Sequence, residues 1–93
     1  MVVGVVTWEL EVFGCQSLKQ KRSVVRSLKE RLRNRFNLSV AETGHTDLWQ
    51  RAEITACTVS NEGGHVDSIL DSADRFVSSD PRARVIQARR MFL

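Results

Sequence analysis

Apolar and polar residues alternate along the first dozen positions. Val2, Val6, Trp8, Leu10 and Val12 interleave with Thr7, Glu9 and Glu11. A period of two predicts a strand over Val2–Phe13, with Trp8, Leu10 and Val12 facing a core and Thr7, Glu9 and Glu11 facing water. Phe13-Gly14-Cys15-Gln16 then reads as a loop. Ser17 can cap a helix, with Gln20 as its capping-box partner. Leu18, Val25, Leu28, Leu32 and Phe36 repeat every three or four residues, so a helix is expected from Leu18 to about Phe36, with Val24 at the margin of its stripe. Leu38–Thr43 and Leu48–Ser60 read as two strands joined by the turn Gly44-His45-Thr46-Asp47. In the second, Ala52, Ile54 and Ala56 alternate with Arg51, Glu53 and Thr55. The short connection favours an antiparallel hairpin. Beyond Asn61-Glu62-Gly63-Gly64, the spacing of Val66, Ile69, Leu70, Ala73, Phe76 and Val77 predicts a second helix, and Asp67, Asp71 and Asp74 fall away from most of that stripe. Asp80-Pro81 ends it, because the residue before proline avoids the α region. Arg84–Leu93 reads as a last strand anchored by Val85, Ile86, Met91, Phe92 and Leu93, with its in/out phase undecided.

The order is β-α-β-β-α-β, the split βαβ arrangement. Right-handed crossovers place both helices on one face of a four-stranded antiparallel sheet and leave the other face open. The expected fold is therefore an α/β (α+β) sandwich of ferredoxin-like type. Ninety-three residues with one proline and no linker-like run make a single domain over 1–93.

Charge changes this picture. Lys19, Lys21, Arg22, Arg26, Lys29, Arg31, Arg33 and Arg35 share one segment with a single acid, Glu30. At 100° per residue, Lys19, Arg22, Arg26, Lys29 and Arg33 fall within an arc of roughly 80° beside the apolar stripe of a helix about 28 Å long. Such a ridge suits phosphates, and would bind RNA without reading its bases. The rival reading is a solvated helix face, partly paired with the Asp67/Asp71/Asp74 line. Surface pairs of that kind contribute only about 0–1 kcal/mol each.

Other candidates are weaker. The turn carrying His45, Asp47, Trp49 and Arg51 could recognise a protein partner. In the plainer reading Gly44 and Asp47 serve the turn, Trp49 caps the core or a dimer contact, and Arg51 pairs with Glu53 or Glu42. The outward residues Thr7, Glu9, Glu11, Arg51, Glu53 and Thr55 include three acids and no aromatic, which disfavours base stacking there. That face is expected to be solvated or to pack on a second copy. Cys15 and Cys57 read as reduced thiols. His45, Asp47 and the distant His65 lack ligand spacing, so neither metal nor cofactor is expected. No apolar run is long enough to span a bilayer, and the start lacks the pattern of a signal peptide, so a cytoplasmic protein is expected. With no Ser/His/Asp or Cys/His constellation, P-loop or dinucleotide fingerprint to place, it is expected to be non-enzymatic.

Ser17-Leu18-Lys19-Gln20-Lys21-Arg22, Arg31-Leu32-Arg33-Asn34-Arg35-Phe36-Asn37, Val40-Ala41-Glu42, Gly44 through Arg51, and Val59-Ser60-Asn61 occur in that order. This series resembles the YlxP-like family of bacterial proteins over nearly the whole chain. The resemblance implies a ferredoxin-like fold. The family's function is unknown, but its genes often lie among those for translation initiation and ribosome maturation, which implies a setting of ribosomal RNA or a ribosomal subunit. It implies no catalytic residues. An acylphosphatase-like hydrolase shares the fold and is the competing enzyme reading, but Gly14-Cys15-Gln16-Ser17 lacks that family's repeated Gly-Val loop. The leading expectation is an accessory RNA- or ribosome-binding protein. The alternative is a protein–protein adaptor or structural homodimer.

Overall fold

Six elements follow one another in the computed structural model, which describes Met1–Leu93. They are β1 (Val2–Val12), α1 (Leu18–Arg35), β2 (Ser39–Gly44), β3 (Arg51–Ser60), α2 (Gly63–Ser78) and β4 (Ala83–Phe92). The sheet runs β2-β3-β1-β4 with every neighbouring pair antiparallel. Both helices cover one face, so the expected ferredoxin-like sandwich is the fold observed.

Alternation in β1 and β3 builds the core. Val6, Trp8, Leu10 and Val12 from β1 meet Ala52, Ile54 and Ala56 from β3. The stripes of both helices close over them through Val25, Leu28 and Leu32 and through Val66, Leu70, Ala73 and Val77. Trp8 has an indole N–H that needs a partner when buried. It donates to Asp74 Oδ1 at 2.8 Å. Gly4 lets α2 approach closely, because a Cβ there would run into the Val66 side chain.

The first helix forms as read, with Ser17 Oγ accepting from the Gln20 N–H. The hairpin departs from expectation. Strand β3 starts at Arg51, not Leu48, and Leu48–Gln50 belong to the connection. Gly44 closes β2 after a register shift between Glu42 and Gly44. The left-handed residue of the turn is His45, at φ 57°. Its carbonyl accepts from the Leu48 N–H at 3.1 Å.

The undecided phase of β4 has a cause. The β1–β4 register shifts between Glu9 and Leu10, so that Gln87 pairs with Glu9 and Val85 with Leu10. Ile86 is the extra residue, and such a bulge reverses the in/out parity of the strand. Ala83 and Val85 face the helices on one side of it. Ala88, Arg90 and Phe92 do so on the other.

Candidate nucleic-acid interface

Helix α1 lies over the β2 side of the sheet, and two side chains set its rotation. Lys21 is fully buried. Its Nζ donates to Glu42 Oε2 at 2.6 Å and to the His45 carbonyl at 2.8 Å. Arg33 donates from Nη2 to the Val40 carbonyl of the same strand. With Lys21 held against β2, the flank bearing Lys19, Arg22, Arg26 and Lys29 turns outward beyond the sheet edge.

Lys19, Arg22 and Arg26 are exposed and Lys29 is half-buried. None of the four has a carboxylate within 4 Å. Lys19, Arg22, Ser23 and Arg26 line an open basin of about 500 Å3. Arg33 joins the flank in position, but spends one guanidinium nitrogen on Val40.

The acidic line of α2 does not pair with this flank, contrary to the rival expectation. Arg90 of β4 takes all three acids, at 2.7 Å from Asp67, 2.6 Å from Asp71 and 2.6 Å from Asp74. Burial works against its charge, but the hydrogen bonds to Asp74 and Asp71 raise its pKa further above the usual range. The bulge at Ile86 is what brings Arg90 to the helix side, so the sequence carried no plain sign of this clamp.

The turn residues separate into two groups. His45 Nε2 lies 2.9 Å from Glu9 Oε2, and Arg51 Nη2 lies 3.5 Å from the same oxygen. Arg51 therefore pairs with Glu9 rather than with Glu53 or Glu42. Burial alone would raise the Glu9 pKa, yet its contacts with His45 and Arg51 hold it below its ordinary value. Asp47 and Trp49 stay outside this cluster and are exposed, Trp49 at 45%. Trp49 thus does not cap the core.

The remaining outward sheet residues are paired among themselves. Thr7, Thr55 and Thr43 hydroxyls form a ladder across β1, β3 and β2. Glu11 meets Arg84, and Glu53 meets Arg89. In the Gly14–Ser17 loop the Gln16 N–H is taken by Gln20 Oε1 at 2.6 Å, and the Gln20 N–H by Ser17. Cys15 is buried and Cys57 half-buried, both unpaired. No three His, Cys, Asp or Glu side chains converge to hold a metal ion. No helix is long and apolar enough to cross a membrane.

Two sequence comparisons bear on this arrangement. The family model described as "Protein of unknown function (DUF503)" matches residues 3–90. An uncharacterized protein, YlxP of Bacillus subtilis (strain 168), is 31% identical over 80 residues, covering 86% of this chain and 87% of that protein. The order of its motifs, its fold and the extent of both matches agree: the chain belongs to the DUF503 family, to which its resemblance to YlxP-like proteins pointed.

Proposed function

We propose that this protein is an accessory RNA- or ribosome-binding protein, non-enzymatic, that contacts phosphates through the outer flank of α1. One observation carries the reading. Lys19, Arg22, Arg26 and Lys29 project along one side of α1 with no internal carboxylate partner, while the acids that could have neutralised them are held by Arg90. Unpaired cations spaced along a rigid helix exchange condensed counterions for phosphates, which favours nucleic-acid backbones. Ribosomal RNA or a ribosomal subunit is the partner this reading names. Because the flank has no aromatic side chain, binding tolerates any sequence. The test is a filter-binding titration of a structured ribosomal RNA fragment with the wild type and with Arg22→Glu/Arg26→Glu/Lys29→Glu. Loss of binding in the folded triple variant supports the reading, and equal affinity rejects it.

The open sheet face favours a second reading, a homodimer. The register lines up Val59, Val3 and Leu93 in one row, and Cys57, Val5 and Met91 in the next. Val59, Met91 and Leu93 are more than half exposed. The charges further along this face already neutralise one another, so a second copy could approach without the repulsion that the α1 flanks would meet. Strands of eleven, six, ten and ten residues, about 4.8 Å apart, give a face of about 600 Å2, near the roughly 800 Å2 per partner of a stable interface. Sedimentation of wild type and Met91→Lys tests this reading: a dimer that the substitution splits is expected, and a wild-type monomer at micromolar concentration rejects it.

A further inference from the structure

The arginines that point away from the outer flank of α1 gather elsewhere. Arg31 and Arg35 lean toward α2, and with Arg75 they surround a cleft of about 370 Å3 between the two helices, floored by Phe36 and Phe76 and edged by Ser72 and Ser79. Each guanidinium is held in place. The Cζ of Arg31 lies 4.9 Å from the centre of the Phe76 ring, and that of Arg35 lies 5.4 Å from the same ring and 5.9 Å from Phe36. The two rings pack on each other with centres 6.0 Å apart. Arg75 Nη2 donates to Ser72 Oγ at 3.1 Å.

Their charges are barely compensated. Arg35 and Arg75 have no carboxylate within 4 Å, and Arg31 reaches Asp80 only at 3.7 Å, on an oxygen that Arg82 already holds at 2.7 Å. Three like charges brought into one cleft repel each other unless an anion joins them. Stacking on aromatic faces leaves the N–H edges of a guanidinium free, and that planar fork matches phosphate oxygens. Ser72 adds a hydroxyl at the rim. Asp80 and the Ser79 hydroxyl do not compete strongly: the first is committed to Arg82, and the second donates to the Phe76 carbonyl at 2.7 Å.

We propose that the cleft between α1 and α2 is a binding site for a phosphoryl group, held by Arg31, Arg35 and Arg75. The site is distinct from the outer flank and stands whether or not that flank binds RNA. The phosphoryl group belongs either to a free nucleotide or to an RNA backbone. An RNA strand that reached both would cross the solvent pole of α1, which carries Ser23, Ser27 and Asn34 and one acid, the exposed Glu30.

The test compares wild type, Arg35→Gln/Arg75→Gln and Arg22→Glu/Arg26→Glu/Lys29→Glu. Each is titrated with pyrophosphate, a nucleoside diphosphate and the structured RNA fragment, while NMR follows the arginine side-chain N–H signals. The proposal expects the Arg31, Arg35 and Arg75 signals to move saturably in wild type, and affinity to fall at least tenfold in Arg35→Gln/Arg75→Gln. Saturation by the small phosphates identifies a free nucleotide as the source, and saturation by RNA alone identifies the backbone. If no probe moves these signals, or if the cleft variant binds as well as wild type, the site is refuted. RNA binding lost only in the outer-flank variant, with no response of the cleft arginines to the small phosphates, would refute the cleft and leave the functional reading intact. Cleft binding retained in a protein that ignores RNA would do the reverse.

Discussion

Lys21 Nζ lies 2.6 Å from Glu42 Oε2, the lysine fully buried and the glutamate largely so. The same ammonium donates to the carbonyl of His45. One cation thus ties the first turns of α1 to the end of β2 and to the turn that follows. Its position settles which side of a very basic helix is spent on structure and which is left for partners.

Removing one member of a buried pair strands the other charge. Lys21→Ala is expected to destabilise the protein by about 3 kcal/mol, because Glu42 loses its partner in a desolvated position. Lys21→Met/Glu42→Leu is expected to lie closer to wild type than either single change. Urea denaturation of wild type, Lys21→Ala, Lys21→Met, Glu42→Leu and the double variant measures both expectations. A harmless Lys21→Ala would show that the pair does not anchor the helix.

Gly4 is where α2 comes nearest to the sheet. Gly4→Ala places a methyl group against Val66 and Leu70. An overpacked core of this kind costs about 1–3 kcal/mol. Thermal unfolding reads the loss, and an unchanged midpoint would mean that α2 shifts freely on β1.

Asp80 sets an acid limit on stability. The hydrogen bond from Arg82 lowers its pKa from the ordinary 3.8, and the outcome prevails over its burial. A depressed folded pKa means that the stabilisation is fully present above the unfolded value and is lost as pH falls through the folded one. Stability should therefore drop below about pH 4 in wild type, more steeply than in Asp80→Asn. Parallel acid limbs for the two proteins would remove Asp80 from the account.

His45 adopts a left-handed backbone that costs a side-chain-bearing residue roughly 1–2 kcal/mol. Both His45→Ala and His45→Gly lose the contact with Glu9, but only the glycine relieves the backbone. His45→Gly should be the more stable of the two by about 1 kcal/mol. Equal midpoints in urea would contradict the turn geometry.

The elements and the core were legible because their periods were clean. Alternation over Trp8, Leu10 and Val12, and the three-four spacing of Leu28 and Leu32, left little choice of face. The hairpin was legible except for the length of its connection, which runs on through Leu48–Gln50 so that β3 starts at Arg51. Strand β4 was legible but its phase was not, because the extra residue Ile86 reverses its parity and hid the inward direction of Arg90. Lys21 was visible in principle, since it falls on the same stripe as Val25, Leu28 and Leu32, where a lysine needs an internal partner. Arg31, Arg35 and Arg75 were not, because nothing in local spacing brings two helices together at Phe36 and Phe76.

The central claim is that the outer flank of α1 binds RNA through phosphates. Affinity of the purified protein for a structured ribosomal RNA fragment, measured across a series of salt concentrations, tests it most directly. Four cations in contact with phosphates should give a fall of about three decades in affinity per decade of salt. Arg22→Glu/Arg26→Glu/Lys29→Glu should bind too weakly to measure while keeping its circular dichroism spectrum. Binding that ignores salt, or that survives the triple reversal, would contradict the account.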